Sequence, residues 1–249
     1  MSIFALSFTI IFIMLTMLIS VWQKLGLERD IAVGTVRSAV QLLLVGYVLQ
    51  FIFNSDHPAL IIAIVAFMIT VASFNAGKRG KGLRRITLYI AAAITVTELL
   101  MMGLLLGLHI VEPTPQYIIP LSGMTIGNAM VVSGLFLNQM KREVEASKGE
   151  IETLLSLGAT PRRAFQDILK RSVKSSMIPT IDGMKTVGLV QLPGMMTGMI
   201  IAGADPVEAV RYQILIVFAF TSSAAITSII LSLLTYRQWF TSDMRLRSL

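Results

Sequence analysis

Few residues in this chain are of types that do chemistry, and they stand apart from one another. Glu98 is twelve residues from Ile86 and ten from Leu108, in a stretch otherwise free of charge. Thr95 three residues before it and Met101 and Met102 three and four after share its face if the stretch is helical, giving a mixed polar and sulfur stripe. Met195, Met196 and Met199 bunch after Pro193-Gly194, among 15 methionines in all. Thioether sulfur suits soft ions such as Cu(I) better than Fe(II), and methionine is also a flexible apolar filler; both readings stand. There is no cysteine, which excludes disulfides, thiolate ligands and thiol catalysis. The two histidines, His57 and His109, belong to no hydrolase signature. A phosphate-binding loop needs Gly-x-x-x-x-Gly-Lys followed by Ser or Thr; the Gly-Lys pairs at 77–78 and 80–81 are followed by Arg and Gly, so the chain has none.

The elements that must position these residues follow from composition. The 249 residues are 55% apolar and only 14% charged, with a mean hydropathy of +0.76, against roughly 25% charged in soluble domains. Charge-free stretches occupy 1–23, 38–55, 57–77, 113–140, 186–204 and 212–236, and 86–111 is broken only by Glu98. Each approaches or exceeds the roughly 20 residues that a bilayer-spanning helix needs. The fold class expected is therefore all-α: a polytopic bundle of about seven transmembrane helices, forming a single domain over 1–249. The spans are expected at Ile3–Val21, Thr35–Phe53, Ala59–Asn75, Ile86–Leu108, Tyr117–Met140, Pro179–Ala202 (interrupted at Pro193-Gly194) and Val207–Tyr236. Ile3–Val21 lacks a basic n-region and a small-residue cleavage site, so it is expected to remain as the first helix. Arg37 and Gln41 lie one turn apart on the second.

The net charge of +7 reports topology. With the N-terminus outside, nineteen of the 21 Lys and Arg residues fall in inside segments, Lys185 and Arg211 excepted. This asymmetry predicts N-out, C-in, with His57, His109 and Asp205 outside and Arg79, Arg163 and Arg245 inside. The basic balance implies contact with anionic lipid and no nucleic-acid partner. Arg37 and Lys185 sit near inner helix ends and are expected to snorkel; Asp182 and Lys185 are spaced to pair. At the midplane, by contrast, Glu98 is too short to snorkel, and such a residue takes a functional reading first. It either binds or passes a cation, or is a protonated acid bonded to a neighbouring helix.

Three Gly-x-x-x-Gly pairs, Gly103/Gly107, Gly123/Gly127 and Gly194/Gly198, are expected to be helix-packing surfaces, within the chain or between copies. Pro193-Gly194 is expected to kink or unwind its helix and free carbonyls where a pathway lies. The one substantial polar segment, 141–176, reads as a helix over Glu143–Leu157, a Gly158 stop, a Thr160-Pro161 start and a second helix over Arg162–Ser175. Leu154, Leu155, Leu157 and Phe165 cluster near this corner.

Glu152 preceding Gly158 by six, inside "EIETLLSLGATPRRAF", resembles the cytoplasmic coupling element of ABC-transporter permeases. Together with "PLSGMTIGNAM" (120–130) and "QLPGMMTGMIIAGADPVEAVRYQI" (191–214), the whole chain resembles the iron-export ABC permeases of bacteria, related to the membrane subunit of plant aluminium-tolerance transporters. The proline-containing end of the importer-type coupling motif is absent. The resemblance implies a cell-membrane permease that exports iron, no catalytic residues and no cofactor bound by this chain. ATP and Mg²⁺ would belong to a separate ATP-binding subunit, and two permease copies would pair. It makes Glu152, Leu154, Leu155, Leu157, Gly158, Arg162, Arg163 and Phe165 the coupling candidates. Transport-path candidates are Glu98, Met101, Asn128, Met195, Met196 and Met199; the metal ligands are unknown. Competing readings are an ion-coupled secondary carrier using Glu98, which leaves the polar elbow unexplained, and a seven-helix receptor; a retinal receptor would need a lysine that 212–236 lacks.

Overall fold

Long charge-free runs leave the backbone no partner in lipid but itself, which restricts a spanning segment to a helix or a closed barrel. The computed structural model describes residues 8–53, 57–241 and 245–247. Among these, every long apolar run except 186–204 is helical, and the only extended pairings are the isolated bridges Val187–Gln191 and Phe240–Leu246. The protein is all-α and polytopic. Its contacts divide it into two compact units, Met1–His57 and Pro58–Leu249.

In the first unit, α1 (Ile10–Trp22) and α2 (Glu28–Phe53) form a helical hairpin. Residues 3–7 of the expected first span lie outside the described residues, as do 54–56 of the expected outer turn. The α1–α2 turn is tied by Ser20, whose hydroxyl donates to Glu28 Oε1 at 2.8 Å and accepts from the Leu27 amide at 3.3 Å. α2 starts seven residues before the expected Thr35. Glu28 and Asp30 occupy its first turn, where acids complement the helix dipole, so charges that read as loop are a helix start.

The second unit contains α3 (Pro58–Gly77), α4 (Ile86–Gly107), α5 (Pro115–Ala146), α6 (Lys148–Ser156), α7 (Pro161–Thr186), α8 (Gly194–Ile201) and α9 (Pro206–Thr235), with short 3-10 turns at Lys78–Gly80 and Tyr236–Trp239. α5, at 32 residues about 48 Å long, is the hub that packs on α3, α4, α7 and α9. The main core joins Ile90 and Ile94 of α4, Phe136 and Met140 of α5, Phe165 of α7 and Leu231 of α9.

Three expectations are corrected. First, the sixth span is interrupted as expected, but over residues 187–193 and not at Pro193-Gly194 alone, and its first helix starts well before Pro179. α7 runs unbroken from the elbow through Pro179 to Thr186, seven irregular residues follow, and α8 has only eight. Pro179 lacks an N–H and removes one helical bond, but Ser172 and Ser176 are buried beside it and α7 packs on α5 and α9, so packing carries the helix past it. Five described helices, α2, α3, α4, α5 and α9, are long and apolar enough to span. Second, the glycine pairs close no contact within the chain: a Cβ at Gly103, Gly107, Gly127, Gly194 or Gly198 would meet nothing within 4 Å, and one at Gly123 only the Met68 tip at 3.8 Å. Close approach falls instead to Gly80, where a Cβ would lie 2.7 Å from Ile86, and to buried Ala72, Ala93, Ala129 and Ala224. Third, Glu143–Ala146 belong to α5, so the first elbow helix is only α6.

Candidate functional site

α7 ends where its backbone has no helical continuation. Thr186 O gathers the amides of Leu189 (3.2 Å) and Val190 (3.0 Å), and the Gly188 amide bonds Gln191 O at 2.9 Å. Gly188 has φ +84, a conformation that only glycine adopts cheaply. Pro193 then disfavours helix at Leu192 and starts α8, its carbonyl accepting from Thr197 N at 3.0 Å. The carbonyls of Val187, Gly188, Leu189 and Val190 accept no hydrogen bond among the described residues.

This break opens two clefts. One, of about 290 Å³, lies against α5, α7 and α9 and takes its polar lining from Asn128, Thr180, Gln191, Gln213 and Thr221. The other, of about 430 Å³, is lined by Gly188, Leu192, Met196 and Val210; Gln213 borders both. Gln213 is 9% exposed, and its Oε1 has no hydrogen-bond partner. Asn128 Nδ2 donates to Phe220 O at 2.8 Å and to Ser223 Oγ at 3.2 Å. That fixes the amide orientation and leaves its oxygen without a bond. Asp182 and Lys185 pair at 3.1 Å, both exposed, one turn before the break.

A second polar site lies on continuous helices. Glu98 of α4 is 5% exposed, and its Oε2 accepts from Thr125 Oγ of α5 at 2.6 Å. Glu98 Oε1 and Ser122 Oγ make no hydrogen bond of good geometry although the Ser122 hydroxyl lies beside the carboxylate, and both border a groove of about 470 Å³ between α3, α4 and α5 that is otherwise apolar but for Thr95. Beside it Thr97 Oγ and Thr227 Oγ meet at 2.9 Å, tying α4 to α9. Among the described residues no Lys or Arg forms an ion pair with Glu98, and no three His, Cys, Asp or Glu side chains converge as a metal cluster.

The third site is the elbow. Gly158, at φ +85, stops α6, and Thr160 Oγ accepts from Arg163 N at 3.4 Å to start α7. Arg171 Nε donates to Glu143 Oε2 at 2.7 Å and Nη2 to Ser147 Oγ at 3.3 Å, clamping α7 to the end of α5. The hydrogen bond to Glu143 raises the Arg171 pKa above its ordinary value. Leu157 is 79% exposed, and Glu152, Arg162 and Arg163 are exposed with it. Leu155, Ala159, Arg245 and Leu246 line a groove of about 670 Å³.

A family model described as an uncharacterised protein family, UPF0014, matches residues 3–240. The chain belongs to the UPF0014 family. It is 50% identical to the UPF0014 membrane protein YjkA of Bacillus subtilis over 98% of this chain and 97% of that one. Identity is 40% to the probable iron export permease protein FetB of Escherichia coli, over 97% and 93% of the two chains. It is 37% to the protein ALUMINUM SENSITIVE 3 of Arabidopsis thaliana, over 96% and 88%. No solved structure matches the chain. Membership of UPF0014, with its membrane-protein and permease relatives, agrees with the polytopic helical fold.

In this UPF0014 protein the residues expected along one path are divided. Asn128 and Met196 border the clefts at the break. Glu98 and Met101 are buried on α4, Met195 packs against the small cluster of Leu105, Leu121 and Ile216, and Met199 lines neither cleft. Of the coupling candidates, Glu152, Leu157, Gly158, Arg162 and Arg163 are exposed, and Leu154 and Leu155 are half-buried. Phe165 is corrected: it is fully buried, 4.7 Å from the Phe240 ring and 6.4 Å from Trp239, so it holds the corner from within and presents nothing to a partner. The sequence reading missed Gln213, Thr125, Ser122 and Thr227. A single glutamine inside the charge-free 212–236 run was the available signal for the first.

Proposed function

We propose that this UPF0014 protein is the membrane-spanning permease subunit of an ABC exporter that moves iron out of the cell across the cell membrane. ATP would be hydrolysed on separate subunits, one docked on the elbow of each of two permease copies. The observation that carries this reading is the continuity of α7. One 26-residue helix, about 39 Å long, starts at the elbow and ends at the break. A displacement imposed on the exposed α6–α7 corner therefore reaches the clefts at the break through a single continuous element. That is what a machine needs when fuel and cargo sites are on different subunits. Spanning segments tolerate irregular backbone where it lines a cavity, and the exposed Asp182–Lys185 pair beside it fits a wet surface. Iron as cargo rests on the name of the 40%-identical relative, and the elbow is taken to face the cytoplasm from the clustering of basic residues.

The test is co-expression with a candidate ATP-binding subunit, followed by purification and ATPase assay. The proposal expects a stable complex whose hydrolysis exceeds that of the soluble subunit alone; a chain that purifies without any such partner and still moves iron refutes it. One observation favours a second reading. Glu98 Oε1, buried without a hydrogen bond of good geometry, would suit an ion-coupled carrier, in which Glu98→Gln stops transport and ATP is not required.

A further inference from the structure

Buried polar atoms in native proteins are nearly always hydrogen-bonded, and an exception calls for a bound water or ion. At the α7–α8 break one such exception, Gln213 Oε1, stands among accessible oxygens that are also left without a donor. Gln213 Oε1 is buried without a partner. The Asn128 amide is turned by its two donor bonds so that its oxygen is left over. The carbonyls of Val187, which borders both clefts, and of exposed Gly188, which borders only the larger one, accept nothing. All four are neutral oxygens, all are acceptors, and no carboxylate lines either cleft. Oxygen-only donors of this kind suit hard cations. A cavity of about 290 Å³ has room for such an ion with part of its water shell, since a water occupies about 30 Å³ in the liquid.

We propose that Gln213, Asn128 and the unwound carbonyls at Val187–Gly188 form a cation site that takes a hard divalent metal ion, partly hydrated, through neutral oxygens. This rests on the permease reading and names the chemistry by which cargo is held. The methionines that follow the break are then packing and cleft wall, and the ion leaves readily because no anionic ligand fixes it. Discontinuous helices whose carbonyls meet cations near the midplane are a recurring solution in transporters; here the amide side chains complete the shell.

The test uses the full chain in lipid nanodiscs without any ATPase subunit, titrated with Mn²⁺ and read by the electron paramagnetic resonance of the free ion. Wild type is expected to bind saturably. Gln213→Leu and Asn128→Leu should weaken binding at least tenfold, and Gln213→Glu should tighten it at least tenfold, because a carboxylate replaces a neutral oxygen. The gain in Gln213→Glu keeps the test decisive if a leucine variant fails to fold. No saturable Mn²⁺ binding by wild type, or equal affinity in wild type and Gln213→Glu, overturns the site. So does Mn²⁺ binding that Met196→Leu abolishes and Gln213→Leu leaves unchanged. Since binding is read on the permease alone, these results are separate from failure to find an ATPase partner, which would remove the permease reading and leave the cation site standing.

Discussion

The two ends of α7 are opposite kinds of helix terminus. At the elbow, Thr160 caps the first turn, Arg171 bridges Glu143 and Ser147, and Phe165 is clamped by Trp239 and Phe240. The contacts that build the corner are paired, and what remains open is mixed: Leu157 with exposed Glu152, Arg162 and Arg163, and the Leu155–Leu246 groove that Glu152, Ser156 and Arg245 also line. At the break it is the backbone that is left open. Gly188, Leu189 and Val190 are exposed and the oxygens facing the clefts are unpaired. A corner that exposes apolar and charged side chains together is completed by a protein surface, whereas unpaired oxygens are completed by water or a cation. The helix thus joins a docking end to a binding end, and substitutions should separate the two.

Leu155→Asp should have the largest effect. It places a charge in the elbow groove, where interface energy concentrates in a few apolar anchors, and should abolish retention of the ATP-binding subunit while Mn²⁺ binding at the break persists. Pull-down alongside the Mn²⁺ titration checks this, and retained complex would remove the elbow from the docking surface. Next is Gly188→Val. A β-branched residue at φ +84 costs about 1–3 kcal/mol, and the distortion falls on the cleft. Iron export should drop several-fold with the ATPase subunit still bound; unchanged export would mean that the break is not on the path. The smallest effect is expected at Glu98. Glu98→Gln keeps the partner for Thr125 and should change export by less than about twofold, as suits a helix-packing acid on unbroken helices. Abolished export would transfer the cargo or proton role to Glu98 and favour the ion-coupled reading.

The elbow was legible because its signals are local: Gly158 at the stop, Thr160-Pro161 at the start, and acids and bases that must stay wet. The spans α3, α4, α5 and α9 were legible from apolar length within a few residues at each end. The break was not. Pro179 carries the signature of a helix start and 186–204 has the composition of a span, but hydropathy reports where a segment can lie and says nothing of whether its backbone is continuous. Packing of α7 on α5 and α9 overrode the proline, and Gly188 with Pro193 overrode the apolar run. The burial of Phe165 and the lack of contact at the glycine pairs within the chain escaped the sequence for a related reason. Which face of a helix meets a neighbour depends on contacts with Trp239, Phe240 and Ala129, distant in sequence. Gln213 was overlooked because a search for charges passes over neutral amides.

The central claim is that energy enters at the elbow and acts at the break. It is tested most directly by ATP-dependent uptake of radioactive iron into inside-out vesicles that hold this chain together with its ATP-binding subunit. The account predicts uptake that requires ATP and both chains, is lost in Leu155→Asp and Gly188→Val, and survives Glu98→Gln. Uptake driven by a proton gradient without ATP, and stopped by Glu98→Gln, would contradict it.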